Sequence, residues 1–295
     1  MYEQISGNIW RSRLLVVFFI IVVGAIGYGF YLAYNNPIAL IAALLFAFVS
    51  SIGSYYYSDQ IVLASVHARP ATKEEFPQFV NVVEGLALGA GLPVPRAYVM
   101  DDPAPNAFAT GRDPDHAIVC ATTGLLGMMN RVELEGVVAH EMSHIRNYDV
   151  RFMTLVAVLV GSIAMLAHWF WWTGRFGGYR SRNNQGGQGQ VIFFFIGIAL
   201  AILAPISTAL VQAAISRRRE YLADASGAML TRYPEGLASA LEKIENDHHV
   251  LTTANSATAH LFISNPFKGG RALSSIFNFS THPPIEDRIQ RLREM

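Results

Sequence analysis

The sequence predicts an α-helical integral membrane protein, with four transmembrane helices in two hairpins and one α+β domain on a single membrane face. Three observations predict it. The 295-residue chain is 52% hydrophobic and only 15% charged, well below the roughly 25% of an ordinary soluble domain. No charged side chain falls between Leu14 and Ser58. Two more uncharged runs occupy the middle of the chain, and the polar remainder forms the blocks that flank them.

The first run splits at Asn35-Asn36-Pro37 into Leu14–Tyr34 and Ile38–Tyr57, each about a membrane thickness long at ~1.5 Å per residue. Arg11 and Arg13 precede it as they would a signal peptide, but the apolar core is too long for one and a second span follows at once. The second pair, Phe152–Trp172 and Val191–Ile215, is separated by Thr173–Gln190, whose Gly/Gln-rich part 183–190 reads as a flexible exterior loop. Buried helices of a large soluble core are the alternative for all four, and uncharged runs of this length are rare in such cores. The expected divisions are a first hairpin at 14–57, a soluble block at 58–151, a second hairpin at 152–215 and a second soluble block at 216–295.

Four spans put both termini and 58–151 on the same face. Ten Lys and Arg lie near the span ends on that face and three on the other, so the richer face is cytoplasmic by the positive-inside rule. The two soluble blocks then make one cytoplasmic domain interrupted by the second hairpin. Twenty-two basic residues balance twenty-two acidic ones, which leaves no electrostatic footprint for nucleic acid. The single cysteine, Cys120, forms no internal disulfide, and any metal site must use His and carboxylate ligands.

Within the soluble part, Lys73–Leu92 has helical spacing of apolar residues. Arg96–Met100, Asn106–Thr110 and His116–Ala121 read as strands separated by Asp/Pro and Gly/Asp/Pro turns. Asn130 followed by Glu133 marks a capping box at the start of the next helix. That helix carries His140-Glu141-Met142-Ser143-His144. Histidines four apart project from one helical face and reach a single zinc ion. Glu141, beside the first of them, is placed to take a proton from a water activated by the metal.

A catalytic zinc needs a third protein ligand. The closed hairpin 152–215 returns the chain to the face where His144 left it, and Glu220 follows directly. Asp224, one helical turn on, can accept a hydrogen bond from the outer N–H of a zinc-bound histidine. The alternative for Glu220 is an ion pair with Arg217–Arg219.

Taken together, Pro105–Gly111, His140–His144, Glu220 to Asp224, Thr281-His282-Pro283-Pro284 and the two hairpins resemble the HtpX-type membrane zinc metalloproteases, relatives of the CAAX prenyl proteases built on a gluzincin core. The resemblance covers nearly the whole chain, with no departure at a metal-binding or catalytic position. It implies that the soluble part is a zincin-like metalloprotease domain holding one Zn2+ per chain, and that membrane-protein or unfolded polypeptide substrates are cleaved at the cytoplasmic face of a bacterial plasma (inner) membrane, as part of protein quality control. It also implies that Asn106, Ala107, Phe108, Ala109 and Thr110 form the edge strand that pairs with an extended substrate; an ordinary sheet strand is the alternative. His282 either stabilises the oxyanion or is a turn residue ahead of the last helix. Arg288 is expected to make a structural salt bridge.

Three competing functions fit less well: cleavage of prenylated tails, metal transport and a zinc-dependent membrane scaffold. Cleavage of prenylated C-terminal tails calls for the larger, many-span chamber of the prenyl proteases. A transporter would place ionisable residues inside its spans, where this chain has only His168, and a purely structural zinc would have no use for Glu141. Cys120 is expected to be a small buried hydrophobe.

Overall fold

The structure, a computed structural model, describes residues 2–34, 37–177, 197–198, 201–203, 205–206, 216–255, 257–266 and 283–295. The expected connector Thr173–Gln190 is helical over its first residues, through Gly177, because the helix Asp149–Gly177 runs on past the apolar stretch; residues 178–190, His282 and most of the fourth apolar stretch lie outside the described residues.

Two long helices open the chain, α1 (Tyr2–Tyr34) and α2 (Pro37–Ser65). Both outrun the apolar stretches that nucleate them, α1 by its polar first turns and α2 at its end. These extensions are docked. Asn8 and Ser12 of α1 and Ser58 and Asp59 of α2 are buried, and Asp59 receives Arg96 from the soluble domain at 2.5 Å. Among the described residues, Ser6–Ala25 is a helical stretch long and apolar enough to cross a membrane.

The short strand β1 (Arg69–Pro70) leads to helix α3 (Pro77–Ala90). Its start differs from the expected Lys73. Pro77 suits the first helical position, and the residue before a proline is driven out of the helical region, as Phe76 is at φ −128°, ψ 59°. Gly91, at φ +66°, closes the helix by taking the left-handed conformation.

Strands β2 (Arg96–Met100), β3 (Ala107–Thr110) and β4 (Ile118–Thr122) complete a four-stranded mixed sheet in the order β1-β2-β4-β3. β2 and β4 are parallel, and β3 runs antiparallel to β4. β4 begins two residues later than its apolar pattern suggests. Asp113 accepts the His116 backbone N–H through Oδ1 at 2.9 Å and folds 114–116 into a single tight turn. Cys120 is fully buried in β4, which pushes its thiol pKa up.

After the short helix α4 (Thr123–Met128) comes α5 (Arg131–Arg146), which carries both histidines of the motif. Its capping box is formed. Asn130 Oδ1 accepts the Glu133 N–H at 3.0 Å, and Glu133 Oε2 accepts the Asn130 N–H at 2.9 Å. The same Glu133 carboxylate takes Ser239 and Lys243, each at 2.7 Å, so the cap also fastens a later helix.

α5 ends at Asn147. Tyr148 takes the left-handed conformation at φ +59°, and α6 (Asp149–Gly177) leaves at 85° to α5. Three helices complete the described chain: α7 (Arg217–Thr231), α8 (Pro234–Asn246) and α9 (Ile285–Arg293). α5 lies at the centre, packed by α3, α7, α8 and β3. Two glycines permit that closeness. A Cβ on Gly136 of α5 would lie 2.6 Å from the Leu237 nitrogen of α8, and one on Gly227 of α7 would lie 3.0 Å from the His140 nitrogen.

Candidate metal centre

α5 supplies His140 and His144 from one face, as residues four apart on a helix must. Their Nε2 atoms are 3.2 Å apart. α7, drawn against α5 at Gly227, brings Glu220 to them: Oε2 is 3.7 Å from His140 Nε2 and Oε1 is 3.6 Å from His144 Nε2. All three side chains are buried, and their ligand atoms lie within 4.8 Å of one another. Two neutral imidazole nitrogens and a carboxylate are a donor set that zinc takes with a position left open. Glu220 faces the histidines and lies 3.9 Å from Arg288.

The outer nitrogens of the two rings are each held. His140 Nδ1 is 2.9 Å from Asp224 Oδ1, and Asp224 in turn receives Arg288 Nε at 2.8 Å and Nη2 at 2.6 Å. Arg288 is fully buried and also donates to the Ile263 carbonyl at 3.0 Å. His144 Nδ1 is 3.1 Å from Asp149 Oδ2, in the first turn of α6. Each carboxylate fixes a ring so that Nε2 points inward. Asp149 has no counterpart in the sequence expectations, and Arg288 does more than the structural salt bridge expected of it, because its partner Asp224 holds His140.

The charges follow from these contacts. Burial works against ionisation of Asp224, yet Arg288 and His140 hold its carboxyl down at about 2. Burial also disfavours a charged His144, but Asp149, Glu220 and Glu141 outweigh it and push the ring up to about 9. His140 moves the other way, lowered by burial against the pull of Asp224. Glu141 is buried beside them. Burial pushes its carboxyl up to about 7, with Glu220 adding to the effect while His144, Arg288 and the Ala109 N–H oppose it. A carboxyl near neutrality is poised to accept and return a proton at physiological pH.

β3 is the edge strand of the sheet and runs beside α5. It is narrower than the expected 106–110. Asn106 lies before it, its side chain bonded to Ser264 O at 3.1 Å. Ala107 O accepts the Ile263 N–H at 2.9 Å, and Phe108 bridges to Phe262. Part of its outer edge is therefore covered by the chain itself, and Ala109 N–H reaches Glu141. Thr110 is buried against Thr154 of α6 at 3.0 Å.

A model of peptidase family M48 matches residues 73–295. The chain is 49% identical over 300 residues to a protease HtpX homologue of Caldanaerobacter subterraneus subsp. tengcongensis, covering 100% of this chain and 98% of that one. A protease HtpX homologue of Thermococcus sibiricus is 46% identical over 291 residues, covering 97% and 95%. Among solved structures, S. mikatae Ste24p shares the fold with a TM-score of 0.51 at 20% identity, over 99% of this chain and 67% of that one. With the family model spanning β2 to β4, the motif helix and Glu220, and relatives aligned over 97–100% of the chain, the chain belongs to peptidase family M48 and is a zinc-dependent metalloprotease.

Proposed function

We propose that the protein is a membrane-embedded endopeptidase that cleaves misfolded or damaged membrane proteins, or unfolded polypeptides, at the cytoplasmic face. The carrying observation is the buried convergence of His140, His144 and Glu220 beside Glu141. His140, His144 and Glu220 would hold one zinc ion, which supplies Lewis acidity toward water and the scissile carbonyl. Glu141 takes the proton of the attacking water and returns it to the departing amine. Asp224 and Asp149 keep the two rings in the tautomer that presents Nε2. Backbone pairing along the strand at 106–110, at outward backbone groups that Glu141 and the 262–263 segment do not occupy, would hold an extended substrate with loose sequence preference. An oxyanion role for His282 belongs to the same proposal.

The apolar faces of the first two helices support embedding in lipid. Phe18 and Ile21 of α1 and Ile41, Leu45 and Phe48 of α2 are exposed, as the lipid-facing side chains of spanning helices would be. In the proposed topology α1, α2 and α6 contain three of four spans, with both termini and the site cytoplasmic and the loop at 178–190 outside.

The test incubates the detergent-solubilised protein with an unfolded casein-type substrate, with zinc and with a chelator. Zinc should support cleavage and the chelator should abolish it. Glu141→Gln should keep its zinc and lose at least ~100-fold in turnover, the lower end for a removed general base. Substantial turnover by the metallated variant would refute the assigned role. Cysteine labelling at Gly187 from outside and at the C-terminus from inside checks the topology, and an exterior C-terminus would refute it.

A further inference from the structure

Asn8 stands far from the motif in sequence and outside the 73–295 segment matched by the family. It is nevertheless buried at the junction between the motif helix and α6. Its side-chain amide donates to Asp149 Oδ1 at 2.7 Å and to the Asn147 carbonyl at 3.0 Å. Both amide hydrogens are thus used at one place. Asp149 has two oxygens, and the other one, Oδ2, holds His144 Nδ1 at 3.1 Å. A continuous chain of hydrogen bonds runs from the first helix of the protein to the ring nitrogen opposite Nε2.

The geometry points to Asn8 as a positioning residue for the metal centre: through Asp149 its amide fixes the His144 ring, so that this one polar link, and not the apolar docking of α1, sets how well His144 presents Nε2 to zinc. The inference rests on the proposed role of His144 as a ligand. Oδ1 also faces Arg219 Nη1, but at 4.0 Å, beyond hydrogen-bond length; without the Asn8 amide the carboxylate can rotate about its χ2, and the imidazole it steers turns with it. The apolar part of the docking lies further along α1, where Leu15 and Phe19 pack with Phe152, Leu155 and Val156 of α6. The polar link and the apolar seam are therefore separable by mutation. A polar cavity of about 340 Å³ borders Asn8 and Asp149. Removing the amide there admits water and does not collapse the packing, so an alanine tests the hydrogen bonds.

The experiment uses the full-length protein in detergent, stripped of metal and titrated with zinc against a chromophoric chelator, and separately with Co2+, whose visible bands report ligand geometry. Asn8→Ala should lower zinc affinity about tenfold, the low end for partners that orient a metal ligand, and should weaken and broaden the Co2+ bands. Asn8→Ser, which keeps one donor, should fall between it and the wild type, and serves as the second variant if the alanine protein accumulates poorly. Phe19→Ala loosens the same helix through its apolar seam. It should lower the melting temperature while leaving zinc affinity within twofold and the Co2+ spectrum unchanged. Wild-type affinity and spectrum in both Asn8 variants would overturn the proposal, as would an equal metal defect in Phe19→Ala. His144→Ala separates this failure from failure of the ligand assignment: it should lose zinc severely, and if it binds zinc as the wild type does, the ligand reading falls and the proposal with it.

Discussion

His140 and His144 turn the same ring nitrogen toward the same point, yet the structures that brace them from behind differ in kind. Behind His140 stands an ion pair. Asp224 and the fully buried Arg288 come from α7 and α9, and the guanidinium also ties down the Ile263 carbonyl. Behind His144 stands Asp149 at the turn into α6, braced by a neutral amide from α1. The first arrangement is built into the folded core, where removing one charge strands the other. The second can be loosened at the Asn8 amide without stranding a charge, since Arg219 Nη1 stays 4.0 Å from Asp149 Oδ1. One histidine is thus tied to the stability of the domain, and the other to a single amide on α1.

Asp224→Ala should break this comparison most severely. It leaves Arg288 buried without its countercharge, and severing a buried pair costs ~3–5 kcal/mol. The expected outcome is a large fall in melting temperature or in folded yield, with Asp224→Ala/Arg288→Met recovering stability but not His140 orientation. Thermal unfolding of both proteins in detergent checks it, and an unchanged melting temperature for the single variant would contradict the role of the pair.

Asp149→Ala should behave differently. The fold should persist and zinc affinity should fall ~10–100-fold, the usual consequence of losing a carboxylate that orients a metal-bound histidine. Chelator competition measures it. A stability loss as large as that of Asp224→Ala would erase the distinction between the two sides.

A smaller effect concerns pH. Zinc takes the neutral ring, while the contacts of His144 push its pKa up to about 9. Across neutral pH the metal must therefore displace a proton from His144, and affinity should fall toward tenfold per unit as pH drops below about 9. His140, whose pKa is lowered, adds nothing in that range. Asp149→Asn removes the main support for the charged ring, so its zinc affinity should change less between pH 8.5 and 7.5. An equal slope in the two proteins would place the displaced proton elsewhere.

What the sequence made legible follows from the reach of its local rules. The spacing of His140 and His144 fixes their common face on any α-helix, and Glu220 and Asp224 share a face for the same reason. The return of the chain after a closed hairpin brought those two pairs into one argument. Asp149 was hidden by the same logic. Five residues beyond His144 on a continuous helix amount to ~500°, which points away from the ring. The break at Tyr148 and the 85° turn bring it back, and nothing in a tyrosine announces a left-handed residue. Asn8 lies 141 positions from Asp149, in a segment that hydropathy reads only as the approach to a span. The strand limits at Ala107 and Ile118 were set by side chains: Asn106 turning to Ser264, and Asp113 capping a turn.

The turn at Tyr148 also sets a height. In the proposed topology α6 enters the bilayer close to its normal, so α5, nearly perpendicular to it, lies along the membrane surface. The apolar run of α6 begins at Phe152, three residues after Asp149, or about 4.5 Å of helix. In that topology the metal centre would be held a few ångströms above the lipid and would not swing away from it without bending the left-handed joint. An extended chain advances roughly 3.3 Å per residue. A polypeptide anchored in the same bilayer needs only a handful of residues to reach the centre, whereas a peptide in bulk solution must first come to the surface. On the proposed topology the fold would act as a ruler measured from the membrane, with position along the substrate selecting the bond to be cut as much as side-chain identity.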